Sequence, residues 1–151
     1  MTGRRIAGWA LGVLAAAGAG AVVALWWTSA EGTGAAAGVL AEVARLCGLL
    51  GAYLVLIELL LLARLPALER LAGFERLTRL HRLNGFAAIS LLLAHATLVT
   101  VGYALADKLS ILDELSKLMS GYPGVITAIA GLAALVAVVV TSIVIVRRRL
   151  R

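Results

Sequence analysis

The chain is poor in the residues that soluble enzymes use. Its 151 residues include one cysteine, two histidines, two prolines and eight acids. A lone cysteine, Cys47, excludes an intrachain disulfide or a CxxC metal site. It sits in an apolar stretch and reads as a small buried residue. No Gly-rich phosphate loop, GxSxG or HExxH motif occurs, nor any paired carboxylates with a partner base. Internal repeats, low-complexity tails and a soluble domain are missing as well.

What fills the chain instead is apolar. Hydrophobic residues make up 62% of it, against about 45–50% in an ordinary soluble domain. Four runs match the about 20 residues that cross a hydrocarbon core: Ile6 to Trp27, Ala36 to Leu62, Leu80 to Ala104 and Val125 to Val146. Lipid forces backbone groups to pair within a segment, so these runs are expected to be helices. The alternating pattern of a membrane barrel is absent. The first run exceeds the about 7–15 residues of a signal-peptide core. It also ends in Trp26 and Trp27, which suit a membrane interface, so it reads as a retained span.

The net charge of +6 does not point to nucleic acid, because the basic residues cluster at the ends of apolar runs, as membrane topology requires. Arg4 and Arg5 precede span one, and Arg64, Arg70, Arg76, Arg79 and Arg82 surround the connection between spans two and three. Arg147, Arg148, Arg149 and Arg151 follow span four. The other side has only Lys108 and Lys117, beside Asp107, Asp113 and Glu114, and the connection TSAEGTG has neither Lys nor Arg. Both termini are therefore expected on the cytoplasmic side of the cell (plasma) membrane, with span three running outward. In the outer connection Leu105, Leu109, Leu112, Leu115 and Met119 recur at helical spacing, and Ser110, Asp113, Glu114 and Lys117 fall elsewhere. That pattern predicts a short amphipathic helix on the outer surface, ended by Tyr122-Pro123-Gly124. The inner connection, RLPALERLAGFERLTRLHR, suits acidic lipid headgroups. The expected fold is all-α: a polytopic membrane helix bundle of four transmembrane helices forming one domain over 1–151.

Both histidines fall in the third-span region, His81 at its inner boundary and His95 fourteen residues later. A helix turns about 100° and rises about 1.5 Å per residue, so the rings share one face about 21 Å apart along the axis. Gly85, Ala88, Leu92 and Val99 lie on the same stripe, and the small Gly85 and Ala88 leave room for something flat beside His81. A histidine in lipid needs a partner, and proton relay, metal or haem ligation and interhelical hydrogen bonding are its usual roles. The gap is too wide for a binuclear metal site, and the stripe has no titratable group to carry a relay. Two haems at two depths, each with an axial histidine, fit the spacing. An interfacial His81 and a His95 bonded to a neighbouring helix also fit it.

The run ARLPALERLAGFERLTRLHRLNGFAAISLLLAHATLVTVGYA, through the pattern LPxLER…G…RLxRxHRxxG…LLLAH…GYA, resembles the ferric reductase-like transmembrane domain. That domain is shared by ferric reductases, NADPH oxidases and bacterial ferredoxin-reductase-type membrane oxidoreductases, and the likeness is strongest to the bacterial group. It covers about Arg45 to Asp107 well, and spans one and four by position and hydropathy only. The resemblance implies six helices holding two haem b groups, the third helix giving one axial histidine to each. His81 then corresponds to the inner haem and His95 to the outer one. It also implies a cytoplasmic module with FAD and NAD(P)H that supplies electrons, and an acceptor outside. The chain has no second histidine pair, so opposite ligands are expected from missing helices or another chain. A divergent member with five-coordinate haem or none is the remaining alternative.

Other polar residues have more than one reading. Glu58 lies within span two, where an acid costs about 2.5–3.5 kcal/mol. A proton site, a partner for His81 or an arginine, and a plain polar contact all suit it. Glu42 and Arg45 are spaced to pair on one helix face. Arg82 suits either a haem propionate or a topological anchor. Thr97 and Thr100 can bond their own helix. Two functions follow: the haem-binding, electron-carrying segment of an oxidoreductase, or a small structural or assembly membrane protein that keeps the scaffold without haem.

Overall fold

A computed structural model of the chain describes residues 2–29, 36–63 and 66–149. Residues 30–35, Arg64, Arg151 and the side chains of Arg4, Arg5, Arg147, Arg148 and Arg149 lie outside the described residues, although the topology argument above uses them. The helices are α1 (Thr2–Ser29), α2 (Ala36–Leu62), α3 (Pro66–Ala72), α4 (Phe74–Asp107), α5 (Ile111–Gly121) and α6 (Val125–Arg149). No strand occurs among the described residues. α1, α2, α4 and α6 are long and apolar enough to cross a membrane. Many of their large apolar side chains point outward, among them Leu56, Phe86 and Val138, as suits helices whose solvent is lipid.

The chain divides into two compact units, 1–99 and 100–151. In the first, α1 and α2 run antiparallel and are tied at both ends of their contact. Tyr53 donates its hydroxyl to the Ala15 carbonyl at 2.9 Å. The Trp26 indole donates to the Glu42 carbonyl at 2.9 Å. Arg45 pairs with Glu42 at 3.1 Å and donates to the Trp26 carbonyl and to Ser29 Oγ, each at 3.2 Å. The guanidinium thus satisfies a carbonyl that the last turn of α1 leaves open. The Glu42–Arg45 pair is structural.

The inner connection is more helical than an anchor loop. Pro66 occupies the first position of α3, where its missing N–H costs nothing. Gly73, with φ 80°, takes the left-handed conformation that separates α3 from α4. Its carbonyl accepts from Leu77 N–H at 3.2 Å. α4 therefore starts at Phe74, six residues before the apolar run at Leu80. It carries Arg76, Arg79 and His81 on regular helix.

The second unit holds the end of α4, then α5 and α6. Lys108, with φ 55°, ends α4, and Leu109 N–H returns to the Ala104 carbonyl at 3.0 Å, a Schellman closure. Ser110 caps α5 by accepting from Asp113 N–H at 3.2 Å. The amphipathic helix forms where the sequence places it, and it packs through one side. Glu114 is 1% exposed and Leu118 7%, whereas Leu112 is 78% exposed. An acid at this depth is tolerable because Lys117 Nζ lies 3.8 Å from its Oε2, and Lys117 also pairs with Asp107. The Asp107 hydrogen bond raises the Lys117 ammonium above the ordinary lysine value.

Candidate functional site

The site lies along the contact between α2 and α4, which run antiparallel in the first unit. The cores of the two helices meet through small residues: Ala44, Gly51 and Ala88 are buried. Three polar contacts fix the register. At one end His95 Nδ1 is 2.7 Å from the Ala44 carbonyl. Towards the other end Asn84 Nδ2 donates to the Leu54 carbonyl at 2.8 Å. At the end itself His81 Nδ1 meets Glu58 Oε1, and Asn84 donates to Glu58 Oε2 at 2.8 Å. Both histidines are thus on the α2-facing side of α4 at two depths, as the helical arithmetic requires.

Each ring is held through the same atom. The Ala44 carbonyl can only accept, so the His95 Nδ1 carries the proton. The Glu58 carboxylate sets the same arrangement at His81. In the neutral ring Nε2 is then the lone-pair nitrogen, and it makes no hydrogen bond to protein in either histidine among the described residues. This is the donor set that an axial iron ligand needs: a neutral imidazole with its far N–H anchored. The donor arrangement of both imidazoles is thus one that haem iron would require.

The surroundings of the two rings differ. His95 rests on Gly48, where a Cβ would lie 2.7 Å from Nδ1 and 2.9 Å from Cε1; only glycine leaves room for the ring. The His81 side chain is 46% exposed, while that of Glu58 is 16% exposed. His81 opens onto a cleft of about 260 Å³ walled by Leu61, Leu62, Phe74 and Leu77, with Glu69 and Thr78 at its edge.

Two expectations change. The small residue Gly85 does not leave space for a flat group: a Cβ there would be 3.0 Å from Glu58 Oε1, so Glu58 fills it. Glu58 is a partner of His81 and Asn84, one of the contacts its sequence position suggests. Arg82 is exposed and makes no salt bridge among the described residues. Thr97 bonds the Leu93 carbonyl at 2.9 Å, as its sequence context suggests. Sequence reasoning missed Asn84, although an amide three residues beyond His81 in an apolar helix was a legible signal. It also missed the Ala44 carbonyl, for which a side-chain sequence carries no signal.

A family model described as "Ferric reductase like transmembrane component" matches residues 47–151. The match takes in Glu58, His81, Asn84 and His95, and extends over α5 and α6, well beyond the Asp107 limit of the motif resemblance. No curated protein and no solved structure matches the chain.

Proposed function

Because the chain belongs to the ferric reductase-like transmembrane family, we propose that it is the haem b-binding segment of a membrane oxidoreductase, carrying electrons across the bilayer. The observation that supports this reading is the common arrangement of the two imidazoles: Nδ1 bound to α2 and Nε2 left with its lone pair. His81 and His95 would hold the iron, one for each of two haems. Bound haem supplies one-electron chemistry at iron, with potentials set by ligand, hydrogen bonding and burial.

The protein's own part is to hold and orient. α2 fixes the plane of each ring through Ala44 and Glu58, so either imidazole would hold iron without reorienting. Arg82, one residue past His81 and exposed, neutralises a propionate at the inner position. The distribution of Lys and Arg puts His81 at the cytoplasmic side of the plasma membrane and His95 toward the outer side. Opposite axial ligands come from further helices or another chain. A flavoprotein module using FAD and NAD(P)H supplies electrons on the cytoplasmic side.

The test is expression of the chain with haem supply, together with helices that complete the domain. Purified protein is expected to be red with a Soret band, and His81→Ala and His95→Ala are each expected to remove part of it. Colourless protein that folds equally well with both substitutions would instead support the structural or assembly role.

A further inference from the structure

The two histidines differ in what receives the Nδ1 proton. His81 faces a carboxylate oxygen of Glu58, and His95 faces a neutral backbone carbonyl, that of Ala44. A carboxylate draws the Nδ1 proton more strongly than an amide oxygen, because the hydrogen bond is charge-assisted. The ring behind it becomes a stronger electron donor at Nε2. A stronger donor favours iron(III) over iron(II), and a nearby negative charge acts in the same direction.

We propose that Glu58 is a positioning residue that makes iron held at His81 harder to reduce than iron held at His95. The proposal rests on the reading that both histidines bind haem. The neighbourhood of Glu58 is built to keep this contact. Asn84 donates to Oε2 at 2.8 Å, which leaves Oε1 for the imidazole. Gly85 presents no side chain where Oε1 comes closest, 3.0 Å from the place of a Cβ. The carboxyl is largely withdrawn from the surface, its side chain 16% exposed, so its charge is only weakly screened. With haem at both positions, electron transfer from the His81 side to the His95 side would be downhill. In the orientation expected from the arginines, this is the direction from inside to outside.

An optical redox titration of the haem-loaded chain, co-expressed with helices that complete the domain, tests this. Two steps are expected. Glu58→Gln keeps an acceptor oxygen and removes the charge; it should move the lower step upward and leave the upper step in place. Should that variant fail to accumulate, His81→Leu still assigns the steps, because it should abolish the lower one and His95→Leu the upper one. The proposal is overturned if Glu58→Gln, with full haem content, titrates like the parent, or if His81→Leu removes the upper step. A second readout needs no haem. In the ¹⁵N-histidine spectrum of the apo chain, the Nδ1 proton of His81 should resonate downfield of that of His95 and move upfield in Glu58→Gln. Absence of that difference also overturns the role of Glu58. Failure of the haem reading looks different: no Soret band in the parent chain, whatever the histidine spectrum shows.

Discussion

One helix, α4, holds two imidazoles in two different ways. At His81 the partner is a side chain, Glu58, itself held by Asn84. At His95 the partner is a main-chain carbonyl, and the room for the ring comes from a missing side chain at Gly48. The first arrangement brings a charge into an apolar helix pair and is open to change by mutation. The second brings no charge, and substitution cannot delete the carbonyl. Its weak point is the close approach of the two helices. The two histidine contacts should therefore respond to different substitutions, and each substitution should affect its own contact alone.

The largest effect is expected at Gly48. Gly48→Leu puts atoms where the His95 ring now lies, since even a Cβ would be 2.7 Å from Nδ1. Either the ring leaves the Ala44 carbonyl or α2 and α4 move apart. Overpacking of this kind costs about 1–3 kcal/mol. Thermal unfolding in detergent should show that loss, and the haem signal that depends on His95 should disappear while the His81 signal stays. Loss of both signals in protein that remains folded would mean that the two ends are not independent.

A smaller effect is expected at Asn84. Asn84→Leu removes the donor to Glu58 Oε2 and the side-chain donor to the Leu54 carbonyl, which keeps its helical bond. Interhelical hydrogen bonds in membranes are worth about 0.6 kcal/mol on average, up to about 1.7. The substitution should lower stability within that range in a denaturant titration in detergent and broaden the His81 resonance by freeing Glu58. The His95 resonance should not change. An unchanged His81 resonance would show that Glu58 is held without Asn84.

Much of this organisation was legible in the residues. The apolar runs marked four long helices, and α2 has the bounds of its run, Ala36–Leu62. The histidine spacing alone put both rings on one side of α4. The less legible parts depended on contacts across helices. Glu58 could have met His81, an arginine or nothing, because sequence does not fix the register of α2 against α4. Gly85 looked like empty space, yet the same lack of a side chain admits Glu58. The start of α4 was hidden because Phe74 to Arg79 is too polar to read as a span, although nothing in it breaks a helix after Gly73. In α5 the hydrophobic pattern gave the helix, while the burial of Glu114 depends on packing that the pattern does not carry.

Glu114 supplies the third case for the comparison, a buried carboxylate whose partner is a cation on its own helix rather than a histidine across a helix pair. Lys117 lies between it and Asp107. The hydrogen bond that Lys117 donates to Asp107 first, and the charges of Asp107 and Glu114 after it, hold its ammonium above the ordinary value of 10.5. A group raised on folding contributes stability that is complete below the unfolded value and is lost as pH rises through the folded one. Lys117→Met should therefore be less stable than the parent at neutral pH by a small margin, with the gap closing only in alkaline solution above 10.5. Unfolding followed by circular dichroism across that range measures it. The histidine resonances should not respond, because Lys117 pairs with Asp107 and Glu114 and with neither ring. A gap that stays constant into strong alkali would mean that Lys117 serves α5 through its aliphatic stem, and that Glu114 tolerates burial without the cation.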